Sequence, residues 1–329
     1  MRNVRAVSWI VIATFVIALL ASAASFRASA QSDLMRSDRM PYDAFDRLPK
    51  TDLEISGSTI RVGFAPGEMA LPRENLLDWV RMSARAAVAY YGRFPVSSLR
   101  LLLVPVDGAR IRGGTTWGYR GAAIRIPIGR DSTEDVLRRD WVMVHEMVHT
   151  ALPDLDSHYG WLSEGLAVYV EPIARVQAGD LTAAEVWQAM MRDLPRGLPQ
   201  ADDQGLDNTD TWGRKYWGGA MFCLLADIEI RKRTNNRFGL QDAMRGVIAA
   251  GGNHEKDWSL DRVLSTADKA VGVDVLTKLH AEMGPKPVSP DLTALWRDLG
   301  VRPQGESIAF DDSAPLAAIR KAITEPRAK

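Results

Sequence analysis

The stretch WVMVHEMVHTALPDLDSHYGWLSEGLAVYVE, residues 141–171, contains two histidines in a spacing that suits a metal ion. In a helix, the i and i+4 positions of His145 and His149 place both imidazoles on one face, about one turn apart. Both rings can then reach one zinc ion at ~2.0–2.1 Å. Glu146 turns away from the apolar stripe of this helix, so it can point at a water on the metal without ligating the ion. We therefore interpret Glu146 as a general base.

A catalytic zinc site needs a third protein ligand and an open position. Glu164 is the natural third ligand, because it lies on a second predicted helix, residues 161–178, after a loop long enough to reverse the chain. Gly165 beside it has no side chain to keep the two helices apart. Glu171, two turns further on the same face, is expected to accept a hydrogen bond from a ligand imidazole. These residues predict one zinc ion (Zn²⁺) per chain, with the ligands His145, His149 and Glu164.

The helix that carries His145 and His149 is expected to run without interruption from Ser132 to Pro153. Ser132 and Asp135 stand at capping-box spacing, and proline ends the pattern. An apolar stripe follows steps of four and three residues and predicts a buried helix face. Its members are Leu137, Trp141, Val144, Val148 and Ala151.

The surrounding chain predicts an α+β fold. Residues 56–130 alternate like strands around glycine turns, with a covering helix that begins at Pro72 and ends before Gly92. Residues 131–285 are mostly helical, so a small mixed N-terminal sheet precedes a helical lobe. Residues 31–55 have no periodicity and are interpreted as a linker or irregular wrap. Residues 286–329 are expected to form a helical tail.

Residues 1–30 have the pattern of a secretory signal. Arg2 and Arg5 precede a long apolar run, and ASAQ offers a cleavage site after Ala30. We expect export to the periplasm or the medium. The run borders on the length of a spanning helix, so an uncleaved anchor facing outside the cytoplasm is the alternative, and the membrane is expected as a partner only in that case.

Composition excludes several other classes of function. The formal net charge is zero, which gives no polybasic surface for nucleic acid. Cys223 is the only cysteine, so neither an intramolecular disulfide nor a cysteine-based zinc knuckle can form. Any metal site must therefore use histidines and carboxylates. His158 is a further possible ligand, but its place in a polar loop favours a solvated residue.

The two motifs together resemble the gluzincin metallopeptidases, in which the third ligand lies in a W-x-x-E-G helix. KYWGGAMFCLLADIEIRKRTNNRFGLQDAMRGV, residues 215–247, is similar to a segment of the glycyl aminopeptidase family, which is related to the aminopeptidase N-type catalytic domain. The resemblance covers roughly residues 110–250. It implies a zincin-like peptidase domain over residues 56–285, and it implies that Tyr216 stabilises the tetrahedral intermediate. A phenol beside zinc is a sensible donor to a developing oxyanion.

The sequence also departs from these families. Gly218 replaces the lysine of their Y-x-K-G motif. GGTTWGY, residues 113–119, is neutral where aminopeptidase N carries a glutamate that grips the substrate amine. This segment can still offer backbone groups to an extended peptide. The choice between exopeptidase and endopeptidase therefore stays open.

We expect a zinc-dependent metallopeptidase that acts on a peptide or protein substrate. Two alternatives remain: a non-catalytic zinc-containing peptide-binding module, and a zinc hydrolase of a non-peptide bond. Glu146 favours an enzyme over the binding module, because a purely structural metal site does not need it. Trp117, Trp212 and Trp217 are candidate residues for the lining of the cleft.

Overall fold

The structure is a computed structural model that describes Leu34 and residues 39–326. The predicted signal or anchor in residues 1–30 lies outside the described residues, as does its cleavage site after Ala30. Among the helices that are described, none combines the length and the apolar character needed to cross a bilayer.

Five strands form the N-terminal sheet: β1 (Lys50–Ile55), β2 (Ser58–Phe64), β3 (Ser98–Val106), β4 (Thr115–Trp117) and β5 (Ala123–Gly129). Their order is β1-β2-β3-β5-β4, with β2, β3 and β5 parallel and both edge strands antiparallel. This confirms the predicted small mixed sheet. The sheet begins earlier than expected, because β1 occupies the end of the predicted linker. Only Leu53 of this edge strand is buried, so its hydrophobic pattern is too weak to read.

The sheet is covered on both faces. Leu101 and Leu103 of β3 pack on one side against α2 (Arg73–Tyr91), the predicted covering helix, which ends at Gly92 with a left-handed φ of 78°. Leu102 points to the other side, where it meets the short helix α1 (Tyr42–Asp46) through Phe45. A strand buried on both faces accounts for the continuous apolar run of β3.

The histidine-bearing segment is two helices rather than the one predicted. These are α3 (Glu134–Arg139) and α4 (Val142–His149). Asp140 causes the break, because its carboxylate accepts hydrogen bonds from the backbone N–H groups of Val142 and Met143, at 3.1 and 2.9 Å. The break also takes Trp141 off the predicted apolar stripe, and its side chain is 53% exposed.

The helical lobe contains the remaining long helices. They are α5 (Gly160–Ala178), α6 (Ala183–Asp193), α7 (Gly219–Arg233), α8 (Leu240–Ala249), α9 (Leu260–Val271), α10 (Leu276–Met283), α11 (Leu292–Leu299) and α12 (Ala317–Thr324). A π-helical segment, Gly213–Gly218, leads directly into α7.

The sequence predicts a helical C-terminal tail, but the structure shows that the tail also contains a hairpin. The hairpin strands β6 (Val301–Gln304) and β7 (Ser307–Phe310) lie between α11 and α12. Gly305 occupies their turn with a left-handed φ of 60°. Most of the hairpin is exposed, so the chain has no long alternating pattern there that could have predicted it.

Helix α4 lies between two hydrophobic cores. Met143 and Met147 pack into the core of the sheet and α2. Val144 and Val148 pack into the core of the helical lobe. The structure confirms the α+β fold class, and it places both histidines at the boundary of the two lobes.

Candidate metal centre

Three predicted ligands converge on one point. The Nε2 atoms of His145 and His149 are 3.2 Å apart. Oε2 of Glu164 lies 3.3 Å from the first and 3.5 Å from the second. Ligands on a tetrahedral ion with bonds of 2.0–2.1 Å are separated by roughly 3.3 Å, so the spacing fits zinc. Within the described part of the chain, this is the one group of three such residues that can hold a metal ion.

The electrostatics of this group favour a cation. Burial works against the charge of Glu164, but His145 and His149 hold the pKa of its carboxyl well below the usual range. Burial also opposes a charge on His149, yet the hydrogen bond to Glu164 and the charges of Glu146 and Glu164 raise its pKa. Both shifts reflect a negative carboxylate that attracts positive charge to this point.

The imidazole of His149 is oriented by a residue that the sequence analysis did not identify. Its Nδ1 lies 3.1 Å from Oγ of Ser163, one residue before Glu164. A partner on the second nitrogen fixes the tautomer of a histidine ligand. The serine belongs to the W-x-x-E-G motif of α5, but no spacing rule singled it out.

Glu171 does not take the place expected for it. Its carboxylate accepts a hydrogen bond of 2.9 Å from Arg175. The buried Nδ1 of His145 has no hydrogen-bond partner among the described residues. Arg175 lies one turn further along α5, and a buried guanidinium needs a carboxylate to offset its desolvation. Burial raises the pKa of Glu171 to about 7 in spite of this arginine.

The carboxylate of Glu146 contacts the edge strand β4. The Oγ1 of Thr116 lies 2.7 Å from Oε2 of Glu146 and 3.0 Å from its backbone carbonyl. Gly114 allows this approach, since a Cβ there would overlap the glutamate side chain. Glu146 thus points toward the strand, and Glu164 toward the histidines.

Tyr216 approaches the ligands from the π-helical segment. Its pKa is raised to about 12 by burial, by the charges of Glu164 and Glu146, and by a hydrogen bond with Glu164.

Gly165 was expected to face the helix that carries His145 and His149. Instead it touches Gly219 at the start of α7, and a Cβ on either glycine would overlap backbone atoms of the opposite helix. Contact between these backbones places Tyr216 beside Glu164.

No protein-family model matches the chain, and no curated protein matches its sequence. Among solved structures, the aminopeptidase N family protein from Idiomarina loihiensis is similar in fold, with a TM-score of 0.56 and 14% identity, covering 81% of this chain and 54% of that chain. The chain has an aminopeptidase N-like fold. The M1 zinc metallopeptidase from Deinococcus radiodurans aligns with a TM-score of 0.49 and 18% identity, covering 74% of this chain and 53% of that one. The chain thus spans about half the length of the structures it matches. The similarity to the Idiomarina loihiensis structure confirms the predicted resemblance for the fold.

Within this aminopeptidase N-like fold, the three predicted metal ligands, His145, His149 and Glu164, line a cavity of about 420 Å³. Residues 113–116 form one wall, so the neutral segment singled out in the sequence does border the site. Of the described residues that line this cavity, Glu146 and Glu164 are the carboxylates. His254 also lines it, although the sequence around His254 gave no signal. Its backbone carbonyl packs against Gly118, so the loop between α8 and α9 supports the edge strand.

The predicted cleft tryptophans divide between two places. Trp212 and Trp217 line a second cavity of about 610 Å³ that adjoins the first, together with Trp141. Trp117 packs instead against the cluster of α1 on the outer face of the sheet. Outside the ligand group, His158 is exposed in a short 3-10 helix.

Proposed function

We propose that the protein is a zinc-dependent metallopeptidase that hydrolyses peptide bonds. One observation carries this proposal: two imidazoles and a carboxylate converge at 3.2–3.5 Å, and a second carboxylate, Glu146, borders the same cavity without joining the group. His145, His149 and Glu164 would hold the ion. A structural site closes all its positions with protein ligands, whereas three ligands leave one open.

When bound, zinc would act as a Lewis acid that lowers the pKa of a water and polarises the scissile carbonyl. Glu146 accepts the proton of the attacking water and passes it to the leaving amine. The hydroxyl of Thr116 donates to Oε2 of this carboxylate. That hydrogen bond fixes the carboxylate, so its other oxygen is free to receive the proton.

Tyr216 is the oxyanion donor in this proposal. With a pKa of about 12, its phenol keeps its proton at neutral pH and can donate a hydrogen bond to the developing negative charge. The same pKa argues against Tyr216 as a base.

The experiment compares wild type with Glu146→Gln and Glu164→Ala on a broad peptide library, with metal analysis of each protein. Glu146→Gln keeps nearly the same volume and all three ligands, so we expect one zinc per chain and a rate lower by about 10²–10⁴-fold. Glu164→Ala should lose the metal, because two imidazoles leave the ion underligated. His158→Gln is the matched control, since this exposed histidine lies outside the ligand group.

Several results would overturn the proposal. Two zinc equivalents or none in the wild type would contradict the ligand set. Equal cleavage by wild type and Glu146→Gln would remove Glu146 as the base. A wild type that retains zinc but cleaves nothing would favour the non-catalytic binding module.

We also propose that the protein acts outside the cytoplasm, on the basis of the signal pattern in residues 1–30. The mature chain is then expected to begin near Gln31. N-terminal sequencing of envelope material tests this, and a chain that still begins at Met1 would favour the membrane-anchored alternative.

A further inference from the structure

The second cavity, which we call the tryptophan cavity, continues the candidate active site. Its volume is about 610 Å³, and it shares Trp141, His145 and Tyr216 with the cavity of the metal group. We propose that the tryptophan cavity binds a bulky apolar side chain of the substrate, in a residue next to the scissile bond. This inference rests on the proposed peptidase function and names its substrate class.

The walls of the tryptophan cavity are aromatic and in part exposed. The side chain of Trp212 is 58% exposed and that of Trp141 is 53% exposed. Leu181, Val186 and Met190 add aliphatic surface. Large aromatic side chains facing a cavity give an apolar partner much surface to bury, at about 25 cal/mol per Å².

Six charged side chains line the tryptophan cavity. Five of them form ion pairs within the protein, and the sixth, Glu185, accepts hydrogen bonds from the backbone N–H and the hydroxyl of Thr182. Glu171 accepts from Arg175 at 2.9 Å. Asp193 pairs with Arg192, and with Arg196 at 3.0 Å. A charged substrate side chain would have to lose its hydration without gaining a free partner from these groups. The cavity therefore selects against charge as well as for apolar area.

Two ring contacts place the bound side chain beside the reacting bond. The Trp212 ring stacks on the Tyr216 ring, with centroids 5.7 Å apart. The Trp141 ring meets His145 edge-on at 5.4 Å. A side chain held between these tryptophans lies next to a ligand and next to the oxyanion donor. It must therefore belong to a residue that flanks the scissile bond.

Ala189 offers a way to fill the tryptophan cavity without touching the metal group. It lines the cavity from α6 and is half-buried. Ala189→Phe should compete with the substrate side chain for the same space. Ala281→Phe is the matched control, since Ala281 is an exposed residue of α10 outside the cavity.

The first measurement is kcat/KM on otherwise identical peptides that carry Phe, Leu, Ala or Asp on either side of the scissile bond. Wild type and Ala281→Phe should prefer Phe and Leu over Asp by at least about 10-fold, in the range of discrimination by apolar pockets. Ala189→Phe should lower kcat/KM for Phe and Leu by about 10-fold or more, and change it for Ala by less than about 2-fold. Equal cleavage of Phe and Asp peptides by the wild type would overturn the inference.

The second measurement separates this inference from the peptidase proposal. Calorimetric titration of the Glu146→Gln protein with the Phe and Asp peptides needs no turnover, and we expect the Phe peptide to bind at least about 10-fold more tightly. If wild type cleaves nothing and this binding preference persists, the peptidase function fails and the apolar cavity stands. If the preference is missing, the inference fails whatever the activity.

Trp212→Ala is a second test, for the case that the Ala189→Phe protein does not fold. The Trp212 side chain is largely exposed, so its removal should not prevent folding. Its loss of contact with Tyr216 lowers all rates, so the ratio of Phe to Ala cleavage is the quantity to read. That ratio should fall by about 10-fold. An unchanged ratio would contradict the inference.

Discussion

The two sides of the candidate active site are held by different kinds of contact. On the helix side, α5 and α7 touch backbone to backbone through Gly165 and Gly219, and this contact sets Glu164 beside Tyr216. On the strand side, β4 reaches Glu146 through the hydroxyl of Thr116. The metal ligands thus depend on close packing, and the proposed base depends on a hydrogen bond. Overpacking of the glycine contact on the helix side should therefore cost folding and metal, whereas loss of the hydrogen bond on the strand side should cost rate alone.

The largest effect is expected from Gly165→Ala. The added Cβ overlaps the Gly219 backbone, which cannot move aside as a flexible side chain can. Overpacking costs typically 1–3 kcal/mol and occasionally more, so we expect a loss of about 3 kcal/mol in the free energy of unfolding together with reduced zinc content. Denaturant unfolding and metal analysis measure both. Gly160→Ala on the same helix is the control, because its Cβ meets only the flexible end of Lys215. A Gly165→Ala protein as stable as wild type would show that close packing at Gly165 does not hold the helix side of the site.

Tyr216→Phe tests the chemistry of the helix side without disturbing its packing. Loss of an oxyanion donor lowers kcat by about 10²–10³-fold, and zinc content and unfolding should stay at wild-type values. Steady-state kinetics and metal analysis read this out. Tyr119→Phe is the control, because that tyrosine is exposed and bonds to Met40 instead. Full activity in Tyr216→Phe would exclude the phenol as the donor.

On the strand side, Thr116→Val should lower kcat by about 10-fold, with KM and zinc content nearly unchanged. The removed hydrogen bond to a charged group is worth roughly 1.5–3 kcal/mol. Thr116→Ser should restore most of the rate, because it returns the hydroxyl. Thr115→Val is the control, because side chains alternate along β4 and the hydrogen bond to Glu146 comes from Thr116. If Thr116→Val lost zinc or unfolded, the strand side would also be structural.

The smallest effect concerns the break before α4. Burial raises the pKa of Asp140 to about 6, above its usual value near 3.9 in an unfolded chain. Between these values the folded state binds more protons, so stability rises as the pH falls from 7.5 to 5. Glu171, with a pKa of about 7, acts in the same direction. Asp140→Asn keeps an oxygen acceptor for the helix start and should remove about 1 kcal/mol of this pH dependence. Urea unfolding at the two pH values measures it, and an unchanged pH dependence would exclude Asp140 as its source.

The sequence could predict the residues that local helix geometry places, but not those that tertiary packing places. His145 and His149 are set by the geometry of one helix, and Glu164 follows at a short distance along the chain, so local rules were sufficient. The partner of Gly165 lies more than fifty residues further along and could not be deduced from spacing. Neither could the cavity position of His254, which tertiary packing decides.

Two predictions were wrong for a local physical reason: the uninterrupted helix before α4, and the hydrogen bond from a ligand imidazole to Glu171 in α5. Periodicity favoured one long helix, but the Asp140 carboxylate competes for the backbone N–H groups and stops it. Glu171 stood on the expected face, yet Arg175 one turn away takes its carboxylate. A pattern of apolar positions carries no information on such competition between polar groups.

The position of α4 between two cores has a consequence for folding. Met143 and Met147 complete the core of the sheet, and Val144 and Val148 complete the core of the helical lobe. Neither core is whole without this eight-residue helix, and an isolated helix of that length is marginal in water. The two lobes are therefore cooperative partners that should unfold in a single transition, and the histidines become correctly placed only when both lobes have assembled.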